Sequence, residues 1–181
     1  YWAHIPDSAF RLFWQVIMAS QWYSLVSQKL FMARVLLRQS DKPFSGEDAS
    51  DALQREAGIQ GSIELALRAR RLLLIMVARL YQQKNSDPET LEALVALLGE
   101  DNPETAELLD LARKGGSWWN HLDQLEAAQS KPPATRKTVS AENIIAISAD
   151  SGPDRSVPAL GKVLDALKQF ADTLEERHSE W

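Results

Sequence analysis

The sequence predicts an all-α fold: a helical bundle with two long antiparallel helices, several short helices, an extended segment and a closing C-terminal helix. Three observations carry that expectation. Apolar residues recur every three or four positions over two long stretches, 7–38 and 47–84, which is the period of a helix seam. Short segments with Asp, Asn or Ser and often Pro at the start, and Gly beyond the end, follow them and read as brief capped helices. One apolar hexad, "NIIAIS" (143–148), is too short for a helix and suits a chain laid out straight across the bundle. With 181 residues, 45% of them hydrophobic and 25% charged, the chain can bury one core and does not need two, so a single helical domain spanning 1–181 is expected.

The first helix takes its seam from Ala9, Leu12, Val16, Ala19, Tyr23, Val26, Leu30, Ala33 and Leu37, with Asp7 or Ser8 at its start and "SDKPFSG" at its end. The register crosses Met18 undisturbed, so "FRLFWQVIMASQWYSL" (10–25) reads as part of this helix and not as a signal peptide, which would also lack its basic leading region. Phe10, Phe13, Trp14 and Ile17 widen the apolar arc to roughly 200°, more than one intramolecular contact usually covers. Clustered aromatics at a helix end are the usual material of an interface anchor, so these four are expected to pack against another chain, most simply in a two-fold dimer. Peripheral membrane contact is disfavoured because Asp7 offsets Arg11 and no basic face forms. No apolar run reaches the ~20 residues of a membrane span.

The second helix draws its inward residues from Leu53, Ile59, Ile63, Ala66, Leu73, Met76, Val77 and Leu80, and "LLLIMVARLY" (72–81), apolar almost all round, marks it as the central helix. Gly58 and Gly61 each cost about 1 kcal/mol relative to alanine and predict a kink or break. "SDPETLEALVALLG" and "DNPETAELLDLARKGG" then share one grammar, Pro at the first helical position after Asp87 or Asn102, Glu in the first turn and Gly at the end. The shared "PET" reads as convergence on that grammar and not as a duplication. Ser117 opens another helix, in which Trp118 and Trp119 point about 100° apart, so one should be buried and the other partly exposed. Residues 130–156 form a long Pro-, Ser- and Thr-rich connection, after which Ser156 caps a last helix striped by Leu160, Leu164, Leu167, Ala171 and Leu174.

Charge is unevenly spread. Residues 1–85 hold 11 Lys+Arg against 7 Asp+Glu, and residues 86–181 hold 9 against 18. Pairing of a basic half with an acidic half inside the chain is the expected use, and the basic side is too sparse to predict a nucleic-acid surface. Arg68 and Arg71, one turn apart, form the candidate anion contact, able to hold a phosphate or carboxylate; pairing with the acidic half is the favoured alternative. Candidate chemistry is thin. The chain has three histidines and no cysteine. Glu175 and His178 share a helix face at the spacing of carboxylate metal sites, but once only and in a terminal turn that reads as a solvated charged end. His121 reads as a hydrogen-bonded structural histidine. Neither a nucleophile elbow, a phosphate loop, a zinc-protease motif nor a dinucleotide fingerprint occurs, so no catalytic, metal or cofactor-binding residue is expected.

"VSQKLFMARVLL" (26–37), "NIIAIS" (143–148) and the closing "LEERHSEW" (174–181) resemble a small bacterial family of all-helical domains of unknown function, over about 19–181. The resemblance implies no activity and no cofactor. Residues 1–17 depart from it and read as an N-terminal extension. The function expected from the sequence is a non-enzymatic interaction or scaffold module, self-associating or bound to another protein, in the cytoplasm. The alternative is a helical enzyme or a nucleotide- or RNA-binding domain.

Overall fold

The computed structural model describes residues 7–42, 49–132 and 152–179, with side chains from Gln21 onward. Among them six helices form in the order α1 (Asp7–Ser40), α2 (Ala49–Leu80), α3 (Leu91–Leu98), α4 (Pro103–Arg113), α5 (Trp118–Gln129) and α6 (Val157–Ser179), and no strand. The fold is all-α. The extended segment expected at 143–148 and most of the 130–156 connection lie outside the described residues.

The described part of the α1 seam is buried as its spacing requires: Val26, Leu30, Ala33 and Leu37 are inside. Their partners run in opposite order along α2. Arg79 stacks over the Trp22 ring, the Ser62 hydroxyl donates to the Ala33 carbonyl at 3.0 Å, Leu36 faces Gly61, and Ser40 faces Gly58. The glycines do not break α2, contrary to the expectation from propensity. A β-carbon on Gly58 would stand 2.2 Å from Ser40 Oγ, and one on Gly61 would stand 2.9 Å from Leu36 Cδ1. The two backbones approach where the side chains are absent, and the packing gained there offsets the helix propensity lost.

Gly58→Ala is therefore expected to destabilise the fold despite alanine's better helix propensity. Overpacking costs about 1–3 kcal/mol against about 1 kcal/mol of propensity gained. Ser40 is short, buried and bonded back to the Leu36 carbonyl at 2.9 Å, so it cannot swing clear. Adding Ser40→Gly should recover most of the loss in a urea unfolding series; a double variant no more stable than Gly58→Ala alone would refute the close approach as the cause.

Ile63, Ala66, Leu73, Met76, Val77 and Leu80 of α2 are buried, Ile59 is half-buried, and Leu53 is 71% exposed. The last is a correction. α1 ends opposite Gly58, so the turns of α2 before that glycine have passed the end of the helix they would pack on.

The two "PET" segments also part ways. At the second, Asn102 accepts from the backbone N–H groups of Glu104 and Thr105 at 3.1 and 3.2 Å, and Pro103 is the first helical residue, as expected. At the first, Pro88 lies before the helix and Thr90 is the cap, accepting from Ala93 N at 3.1 Å. The same tripeptide thus does two jobs, which fits convergent grammar better than duplication. Gly99, at φ 89°, ends α3 in a conformation that favours glycine.

Ser117 caps α5, Trp119 is buried and Trp118 is half-buried against Phe170. Leu160, Leu164, Leu167, Ala171 and Leu174 of α6 are all buried, and Val163 joins them. That stripe closes on α1, α2 and α5, and residues of all six helices contribute to one continuous apolar cluster or the layer packed on it.

Candidate functional site

Three places could carry function: an ion-pair belt, a buried carboxylate at one end of the bundle, and the outward face of α1. In the belt, Arg70 is only 7% exposed. Its guanidinium forks to Asp123 at 2.5 Å and Glu126 at 2.7 Å, and its Cζ lies 4.8 Å from the centre of the Trp119 ring. Arg71 reaches the other oxygen of Glu126 at 3.1 Å. Arg34 meets Asp165 at 2.5 Å, Arg155 meets Glu56 at 2.6 Å, and Arg79 pairs with Asp87. Every one of these joins the basic half to the acidic half. Of the anion-contact pair, Arg71 is thus engaged by Glu126, while Arg68 is exposed on the same helix.

A second cluster forms where α2, α4 and α6 end or begin together. Glu104, in the first turn of α4, is 1% exposed. Tyr81, directly after α2, donates its hydroxyl to one carboxylate oxygen; the other meets Arg177 Nη1 at 3.2 Å and His178 Nε2 at 3.0 Å. The Tyr81 and His178 rings stand edge to face, 5.8 Å apart. Burial pushes the Glu104 carboxyl up, but the hydrogen bonds from Tyr81 and His178 outweigh it and hold it below the usual carboxylate value. Tyr81 is pushed up to about 12, by burial first and then by its bond to Glu104. The terminal turn of α6 is therefore tied down and is not the free charged end its sequence suggested. No group of three or more metal-ligating side chains occurs among the described residues. His121 bonds the Asp154 carbonyl at 2.8 Å and fixes the entry to α6.

On α1, the side facing away from α2 and α6 is open. Gln21, Ser24 and Gln28 are exposed, and so are Phe31, at 63%, and Met32, at 44%. The side chains of Phe10, Phe13, Trp14 and Ile17 lie outside the described residues, but the helix carrying them is continuous with the rest of α1. Eighteen positions are five turns at about 3.6 residues per turn, so Phe13 falls in line with Phe31, Trp14 with Met32 and Ile17 with Val35. Sequence reasoning located the near end of this stripe and missed Phe31 and Met32. The five-turn spacing puts them in line with that cluster, but their exposure follows only from α2 and α6 occupying the other side of the helix.

The family model described as a family of unknown function (DUF6586) matches residues 18–181, and the chain belongs to that family. No curated protein and no solved structure matches the chain. Phe31 and Met32 lie within the matched stretch, and Phe10, Phe13, Trp14 and Ile17 lie before it. No helix among the described residues is long and apolar enough to cross a membrane.

Proposed function

We propose that this protein is a non-enzymatic helical interaction module that associates with a second copy of itself through the outward face of α1. The observation that carries the reading is the exposure of Phe31 and Met32, side by side on a helix whose other side is already filled. Water-exposed aromatic and thioether surface of this kind is typical of a contact site. The polar clusters support the same reading from the other direction. Arg70 is paired by Asp123 and Glu126, Arg79 by Asp87 and Glu104 by Arg177 and His178, all within the chain, so their charges serve its assembly. A crevice between α2, α5 and α6 is lined by Ile63, Leu122, Leu125, Leu160 and Leu164, with the Ser62 hydroxyl already spent on Ala33, and offers no converging polar groups to a substrate.

The test is sedimentation at micromolar concentration. The intact chain is expected to sediment as a dimer, and Phe31→Ser combined with Met32→Ser to sediment as a monomer with unchanged helix content. Removal of residues 1–17 should weaken association as well. Intact protein that stays monomeric across the accessible concentration range would refute self-association.

A further inference from the structure

Resting on that self-association, we infer that two copies pair their α1 helices antiparallel along the outward face, with the twofold axis between Trp22 and Tyr23. The exposed positions Gln21, Ser24, Gln28 and Phe31 step by three and four residues alternately, and the same steps along the helix reach Ile17, Trp14 and Phe10 in one direction and Val35 in the other, the 3.5-residue repeat that keeps a seam facing its partner in a left-handed pair crossing at about 20°. The opposite side of α1 carries its own seam, buried on α2 and α6, so the helix is striped twice and only one stripe is covered within the chain.

The outward stripe is close to self-complementary when reversed. It is apolar at both ends and polar in the middle. About the stated axis Phe10 falls opposite Val35, Trp14 opposite Phe31, and Gln21 opposite Ser24; Ile17 against Gln28 is the one mismatch. In this register Phe10 is set against the smaller Val35 and Trp14 against the smaller Phe31, which fills the layers more evenly than Phe10 and Trp14 each set against their own copies. Charge points the same way. Asp7 falls opposite Arg38, which is exposed. A parallel pairing would set Asp7 against Asp7 and Arg38 against Arg38, a repulsive arrangement at both ends. The near half of the stripe precedes the stretch shared with the family, so residues 10–17 supply the complement to a patch that the family domain itself carries.

The chain has no cysteine, so a single introduced one takes a spin label cleanly. Ser24→Cys and Gln39→Cys both alter exposed polar residues on the open side of α1. With a rise of about 1.5 Å per residue, antiparallel pairing about this axis puts the two labels at position 24 within about 15 Å of each other and the two at position 39 about 50 Å apart. Dipolar coupling should therefore be strong for the first variant and weak for the second. A dimer in which both positions couple strongly would overturn the antiparallel arrangement and leave self-association standing. Absence of coupling at both positions in a protein that sediments as a monomer would overturn both.

Discussion

Leu167→Ala is expected to lower the stability of the fold by about 2–5 kcal/mol, which for a chain of this size is a fall in melting temperature of about 4–20 °C. Leu167 is 0% exposed and sits in the middle of the α6 stripe, between Leu164 and Ala171, where α6 closes on α1 and α2. Truncation removes its transfer free energy and leaves a void that long helices, tied at both ends, cannot collapse to fill. The ties are specific. At the start of α6, Arg155 pairs with Glu56 of α2; in its middle, Tyr23 of α1 donates to Asp172 at 2.6 Å while Lys168 bonds both; at its end, Arg177 and His178 hold Glu104. Leu53→Ala is the control, since Leu53 is 71% exposed and its truncation should fall within about 0.5 kcal/mol of zero. Equal melting temperatures for Leu167→Ala and the unaltered protein would remove α6 from the core.

Local pattern made most of this architecture legible. A seam of apolar residues fixes both that a helix forms and which side turns inward, so Leu30, Met76 and Leu164 were placed by period alone. Caps were legible for the same reason: Asn102 and Ser117 bond groups two or three residues away, and that chemistry is written in adjacent letters. What failed was whatever depends on a partner distant in the chain. Gly58 looks like a helix weakness until Ser40 is beside it. Leu53 belongs to the apolar set by composition, yet the neighbour that would bury it has already ended. The basic and acidic halves foretold that pairing would occur, whereas Arg70 choosing both Asp123 and Glu126 required the placement of α5 along α2. Glu104 was the largest omission. It reads as an ordinary first-turn acid at a helix start, and its partner Arg177 lies 73 positions away. The outward stripe of α1 was half legible, since the aromatic cluster at 10–17 announces itself and the exposure of Phe31 follows only once α2 and α6 have claimed the other side.

Glu104→Gln is expected to cost about 1–3 kcal/mol at neutral pH, because Tyr81, Arg177 and His178 lose a charged acceptor and an amide can satisfy only some of them. The pH dependence of that cost identifies its origin. Glu104 has its carboxyl pKa held below the ordinary value of 4.5, burial opposing and the hydrogen bonds from Tyr81 and His178 prevailing. A carboxyl whose pKa is lower folded than unfolded gives its full stabilisation above the unfolded value, and loses it as pH falls through the folded one. Tyr81 behaves in the reverse sense. Its proton is held more tightly in the folded state, the pKa rising from 10.0 to about 12, so its contribution is complete below pH 10 and fades as pH climbs toward 12. Asp172 and Lys168 are also shifted and add their own acid and alkaline slopes to the whole protein. The difference between the unaltered protein and Glu104→Gln cancels those slopes and isolates the cluster. Urea midpoints measured from pH 3 to pH 11 should thus differ most between about pH 5 and pH 10 and converge on the acid side, where the carboxylate of the unaltered protein is itself neutralised. On the alkaline side Tyr81→Phe should remove the part of the decline that Tyr81 contributes. A gap between the two proteins that stayed constant down to pH 3 would show that the charge of the Glu104 carboxylate contributes nothing to the end of the bundle.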